Sequence, residues 1–241
     1  MMLCQRSILH FFLGLVLVGM VSGTSCVTHA ANGSASLGGD VPDDKMVSIF
    51  AGKSTLEFDR EYGGKASIFN RVMDGFEAAP SYLSLSDGKK IYWGFKYQEA
   101  SIQSIVLTDA DNRIRLIGAV TDITDLEDAE SRRFITSQQE YQRKIKNIVA
   151  EPASVKLFVR DEHDLVVYFP LVKRWLEADL LGFNVDCDTP KLAEACRFSQ
   201  EIEIPIVAYQ IIDSGKGADQ LRELSLPNLP AASIPIKYFK Q

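Results

Sequence analysis

The chain has few of the groups that most catalytic sites need. Only three histidines occur in 241 residues, His10, His29 and His163. The first two lie in the first thirty residues, so a Ser-His-Asp or Cys-His site would have to use His163. No serine sits in a G-x-S-x-G elbow. A catalytic zinc takes more than one imidazole as a rule, and Cys187 and Cys196 have no further sulfur or imidazole nearby. No cofactor motif is visible. Gly52-Lys53-Ser54-Thr55 matches the end of a phosphate-binding G-x-x-x-x-G-K-[ST] loop, but Val47 stands where its first glycine belongs, so the segment reads as a turn. Asp109 and Asp111 fall short of a calcium loop, because Asn112-Arg113 supplies neither the next ligand nor the glycine in register. What remains is carboxylate chemistry, which sequence cannot place among 32 acidic residues.

Basic runs are missing too. The formal net charge is −6, and loss of everything before Cys26 removes one base, Arg6, and no acid, giving −7. An acidic chain without clustered Lys and Arg is a poor partner for nucleic acid or for an anionic bilayer held by charge alone. Nor is there an apolar run of the ~20 residues that a membrane-spanning helix needs.

The longest apolar run, Phe11–Val21, instead has the length of a secretory h-region behind a short n-region carrying Arg6. Thr28-His29-Ala30 suits cleavage after Ala30. Gly23-Thr24-Ser25-Cys26 resembles the lipobox of bacterial lipoproteins, with Gly23 in the place usually held by leucine. That resemblance implies acylation of Cys26 and a lipid anchor. Either route predicts an exported protein of the bacterial periplasm. Residues 1–25 are then the signal and 26–44, rich in Gly, Ser, Ala and Asp, a flexible tether. Residues 45–241 form a single folded domain. Once Cys4 leaves and Cys26 is lipidated or removed, Cys187 and Cys196 remain as a pair, and export predicts a disulfide between them.

Hydrophobic content of 46% and 24% charged residues are globular values. Met46–Phe50 and Leu56–Phe58 suit strands. Ile68, Phe69, Val72, Met73 and Phe76 recur at helical spacing, predicting a helix over 65–78 that Pro80 ends. Residues 81–97 read as a hairpin turning at Asp87-Gly88, and 101–120 as a second turning at Asp109–Asn112. Thr124 with Glu127 has the form of a capping box and predicts one long helix over 124–149. Residues 154–170 read as a third hairpin with Asp161–Asp164 at its tip. A helix over 171–181 closed by Gly182, a short helix after Thr189-Pro190, a strand over 201–212 whose Pro205 argues for an edge position or a bulge, a helical turn near 221–224 and a last strand over 234–239 complete the reading. The expected fold is α+β: an antiparallel sheet of hairpins with one long and several shorter helices packed on it.

The return strand of the first hairpin carries Ile91, Trp93, Phe95 and Tyr97 on one face and Tyr92 on the other. Aromatics on both faces fit either a sheet covered on both sides or a partner surface that uses Trp93 and Tyr92. The acidic tips, with Asp109, Asp111, Asp161 and His163, are placed to steer a basic partner. The leading expectation is a protein-binding module, an inhibitor or toxin-neutralising protein whose partner is an envelope-targeting toxin or enzyme. A carboxylate-based hydrolase of envelope glycans and a structural or assembly lipoprotein are the alternatives. No cofactor or metal is expected.

Overall fold

Two-residue alternation over 78–121 builds a four-stranded antiparallel meander in the computed structural model, which describes residues 35–36, 42–58, 65–128, 130–148 and 153–240. All of these belong to the second of the chain's two units, Ala31–Gln241. The signal run, the Thr28-His29-Ala30 and Cys26 exits and most of the tether lie outside the described residues.

The meander comprises β4 (Ala78–Ser84), β5 (Lys90–Lys96), β6 (Glu99–Thr108) and β7 (Ile114–Thr121). The short β1 (Ala35–Ser36) pairs with β4, and β8 (Ser154–Val159) pairs antiparallel with β7. β9 (Ile206–Ile212) then runs parallel to β8, and β10 (Gln220–Leu224) returns antiparallel. The sheet order is β1-β4-β5-β6-β7-β8-β9-β10. A separate two-stranded sheet pairs β2 (Thr55–Glu57) with β3 (Lys65–Ser67). The fold is α+β.

Helices cover both faces. α1 (Asp44–Ala51) and α2 (Ile68–Asp74) bring Val47, Phe50, Ile68 and Val72 against Tyr92, Val106, Ile117 and Phe158. On the opposite face α4 (Glu162–Leu180), α5 (Ala193–Glu201) and the C-terminal segment pack on Leu83, Trp93, Ile105, Leu116 and Leu157. Gly118 lies on this second face, where a Cβ would meet Ile105 Cγ1 at 2.7 Å, so cross-strand side chains fill the space a larger residue would need.

Several local readings change. Met46–Phe50 is helical, because Asp43 caps it by accepting the Met46 N–H (2.9 Å) and Val47, Phe50 and Ala51 share its buried face. The Arg160 guanidinium donates to the Phe50 carbonyl (2.8 Å), placing a cation at that helix's C-terminal end. The Gly52–Lys53 turn follows as expected, and the Lys53 N–H donates to Asp219 Oδ2 (3.2 Å). The helix expected over 65–78 is only α2, capped by Ser67 and closed at Gly75; Pro80 lies within β4, at a register shift between Ala78 and Ser81.

The helix expected over 124–149 starts fourteen residues late, as α3 (Gln138–Ile148). Its cap is Ser137 with Glu140: the Ser137 hydroxyl accepts the Glu140 N–H (3.4 Å) and donates to the Glu140 carboxylate (3.3 Å). The stretch before it is drawn into tertiary contacts instead. The Leu126 N–H donates to the Leu180 carbonyl (2.6 Å), and Glu127 bridges Phe134.

The third hairpin does not form. β8 ends at Val159, and α4 begins at once, with Asp161 as its cap accepting the His163 N–H (2.9 Å). Leu165, Tyr168, Phe169, Val172 and Trp175 then recur at helical spacing straight through Pro170. Gly182 closes α4 as expected: its N–H donates to Asp179 O and the Phe183 N–H to Ala178 O, with Gly182 at φ +66°. Thr189-Pro190 opens a 3₁₀ turn that leads into α5. β9 is interior rather than an edge; Pro205 precedes it, and its carbonyl accepts the Val155 N–H (2.9 Å). Residues 221–224 are strand, and Ile236–Phe239 is a 3₁₀ turn whose Phe239 packs 5.8 Å from Trp93.

Candidate functional site

The two acidic segments that the sequence places fifty residues apart meet at one end of the sheet. Asp109 sits in the β6–β7 turn, where its carboxylate accepts the Asp111 and Arg113 N–H groups, both at 2.9 Å. Arg115, at the start of β7, donates to the same carboxylate from Nε (2.8 Å) and Nη2 (2.7 Å). Its Nη1 faces Asp164 of α4 at 3.8 Å. One guanidinium therefore ties the turn to the first turn of the helix.

The electrostatics follow. Burial pushes the Asp109 carboxyl up, but the Arg113 N–H and the Arg115 guanidinium together hold it below the ordinary range. Burial raises Asp164 despite Arg115. Tyr168, one turn along α4, is pushed up to about 12 by burial, then by the charges of Asp109 and Asp164. Lys89 lies over its ring, 5.9 Å from the centroid. Around this knot six carboxylates, of Asp87, Asp109, Asp111, Asp161, Glu162 and Asp164, share the rim with the cations Lys89, Arg113, Arg115 and Arg222. Asp111 is exposed and Asp161 caps α4; His163 is exposed in the helix's first turn rather than at a hairpin tip. Arg115 was not foreseen; the signal was a lone cation among the apolar residues of β7.

The aromatic pair does not reach this rim or any other surface. Trp93 is 1% exposed and stacks on Phe183 (5.9 Å), and Tyr92 is buried on the opposite face beside Tyr82 (5.7 Å). Both are core residues because helices cover both sides of the sheet, which removes them as partner-binding groups. Tyr97, in the β5–β6 turn, is the exposed aromatic of that segment.

Cys187 and Cys196 form a disulfide, with Cα atoms 5.9 Å apart, pinning the loop after α4 to α5. Beside it opens a cavity of about 630 Å³ between α4, the disulfide loop and the C-terminal segment. Lys173 Nζ donates to the Leu229 carbonyl (2.9 Å), and Arg174 Nε donates to the Ile234 carbonyl. Arg174 Nη1 holds Glu177 at 2.5 Å. Burial raises the Glu177 carboxyl, against the pull of Arg174, whereas the hydrogen bond from Lys237 (2.7 Å) lowers Asp188. The sequence hid this cleft, because Lys173, Arg174 and Glu177 look like an ordinary solvated helix face.

A second buried acid is Asp179, in the last turn of α4. Burial pushes its carboxyl up to about 7; a hydrogen bond from Gln103 works the other way, and Asp125 adds to the rise. Beneath the same strand Arg71 is fully buried, donating to the carbonyls of Gln103 (3.1 Å) and Val120 (2.7 Å) and to the hydroxyls of Ser104 and Thr121.

Among the described residues no group of three or more His, Cys, Asp or Glu side chains is placed to hold a metal ion. None of the described helices is long and apolar enough to cross a membrane. Comparison with protein-family models, with characterised proteins and with solved structures finds no match.

Proposed function

We propose that the chain is an exported protein of the bacterial envelope that works by binding another protein, as an inhibitor or toxin-neutralising module. The observation that carries this reading is the rim held by Arg115. It gathers two turns and a helix start into one polar surface whose centre, Asp109 with Arg115, is fixed by hydrogen bonds before any partner arrives. A preorganised surface of this kind loses little side-chain freedom on binding. Its carboxylates outnumber its cations, so it favours a basic partner face and faster encounter at low salt. The disulfide and the signal-like N-terminus support export, and acylation of Cys26 would add a lipid anchor.

Affinity capture of the mature protein from envelope extract tests the reading. A stoichiometric protein partner is expected, whose activity falls on binding. Replacing Asp111 and Glu162 together by lysine is expected to slow association about tenfold or more at low salt, with little change in dissociation. Absence of any partner, together with turnover of cell-wall fragments that disappears in Glu177→Gln, would instead establish a glycan hydrolase. Intact mass of the mature chain separates the two exits: a species beginning at Ala31 without lipid rejects the lipoprotein form.

A further inference from the structure

The cavity of about 630 Å³ beside the disulfide has the size of a small-molecule site, and its lining selects the kind of molecule. Three bases, Lys173, Arg174 and Lys237, meet three acids, Glu177, Asp186 and Asp188, so the walls carry no net formal charge. Two pairs are already made: Arg174 Nη1 donates to Glu177 Oε2 (2.5 Å), and Lys237 Nζ to Asp188 Oδ2 (2.7 Å). Arg174 Nε is spent on the Ile234 carbonyl. Among the described residues that leaves Arg174 Nη2 and Glu177 Oε1 open on the two flanks of one ion pair, a donor beside an acceptor. The exposed Gln200 amide and Ser233 hydroxyl add groups that can both donate and accept. The C-terminal segment supplies apolar wall, with Pro230, Ala231 and Pro235.

We propose that this cavity binds a short neutral oligosaccharide, with vicinal hydroxyls on Arg174 Nη2 and Glu177 Oε1, further hydroxyls on Gln200 and Ser233, and C–H faces on Pro230, Ala231 and Pro235. Ligand and lining make matching demands. A hydroxyl donates one hydrogen bond and accepts others, so adjacent hydroxyls fit a donor and an acceptor set side by side. Those bonds run to charged groups and are stronger than neutral ones. A sugar brings no charge to desolvate, whereas an ionic ligand would meet that cost against walls whose own charges cancel. Its rings also carry apolar C–H edges, which suit proline and alanine. The site shares no residue with the Arg115 rim and does not rest on the protein-partner reading.

Calorimetric titration of the full chain with three neutral trisaccharides, maltotriose, cellotriose and triacetylchitotriose, tests it. Saturable one-to-one binding of at least one is expected, unchanged between about 0.05 and about 0.5 M sodium chloride, since no net charge is being matched. The cationic glucosamine trimer and the anionic galacturonate trimer are expected to bind about tenfold more weakly or worse. A Gln200→Ala, Ser233→Ala double variant removes two exposed side chains, so it should keep the wild-type melting temperature while binding the sugar about threefold to tenfold more weakly. No saturable binding of any of the three up to about 10 mM overturns the proposal, as does full affinity in the double variant. Tighter binding of either charged trimer, or of the zwitterion trialanine, also overturns it, in favour of an ionic ligand.

Discussion

Asp179 and Gln103 face each other across the α4–β6 contact, the Gln103 amide nitrogen lying 3.3 Å from both carboxylate oxygens. That neutral amide is a weak partner for an anion buried at a helix C-terminus, where the backbone dipole also opposes negative charge. The folded-state carboxyl accordingly titrates at about 7, against an ordinary value of 3.8. Because the folded pKa is the higher one, the folded state holds the proton longer. Below pH ~4 the acid is neutral in both states. As pH rises from there to about 7 the unfolded chain ionises first, and stability falls. Asp179→Asn should remove this loss, stabilising the protein on the order of 4 kcal/mol at pH 8 and little at pH 4. Urea unfolding across that range checks it; a gain equal at both pH values would reject the assignment.

Gly52 lies at φ +60°, and a Cβ there would come within 2.0 Å of Asp219 Oδ2 and 2.7 Å of Arg160 Nη2. Those two groups fasten the turn after α1 to the rest of the fold. Gly52→Ala should therefore cost about 1–3 kcal/mol from backbone strain alone, with displacement of Asp219 adding to it. Thermal unfolding of the variant measures the loss, and an unchanged midpoint would mean that the turn relaxes freely.

Reduction of Cys187–Cys196 opens a short loop of sequence separation 9. Loop-entropy arguments give about 2–3 kcal/mol for its closure. The wild-type melting temperature should fall in dithiothreitol, while a Cys187→Ser, Cys196→Ser double variant should not respond. Labelling of the denatured, unreduced protein should find neither thiol free.

Phe239 is fully buried two residues from the C-terminus and packs on Trp93, with Ile236 beside it. Phe239→Ala should cost about 3–5 kcal/mol, as for a core aromatic rather than a chain end. A variant that unfolds at the wild-type denaturant midpoint would show that the terminal turn contributes no packing.

The hairpins of the meander were legible because their signals are local. Alternation and the Asp87-Gly88 and Asp109–Asn112 turns fix register within twenty residues of chain. The disulfide was legible by elimination among four cysteines. The misreadings share a different cause: the deciding partner lies far away in sequence. Residues 124–137 have helical credentials, yet Leu126 is claimed by the Leu180 carbonyl. Pro170 looks like a boundary, but α4 continues through it under the packing of Tyr168, Phe169 and Trp175. Trp93 and Tyr92 looked like surplus aromatics only while the helices on both faces were unassigned. At the rim the sequence supplied the carboxylates and missed Arg115, whose reach to Asp164 depends on β7 and α4 lying side by side.

The parallel pairing of β8 with β9 has a kinetic consequence. The strands from β4 to β8 pair antiparallel with sequence neighbours over short or moderate connections. β9 reaches its place only after everything from Arg160 to Pro205 has been laid down. Pairing across so long a connection carries a loop-closure cost that the meander avoids, and such contacts form late. In a chain exported as proposed above, emergence from the N-terminus would leave the edge of β8 uncovered while its neighbour was still in transit. Pulsed hydrogen exchange during refolding should protect the amides of β6 and β7 before those of β9, the interval between them being the period in which β8 is open to mispairing; simultaneous protection would overturn this order.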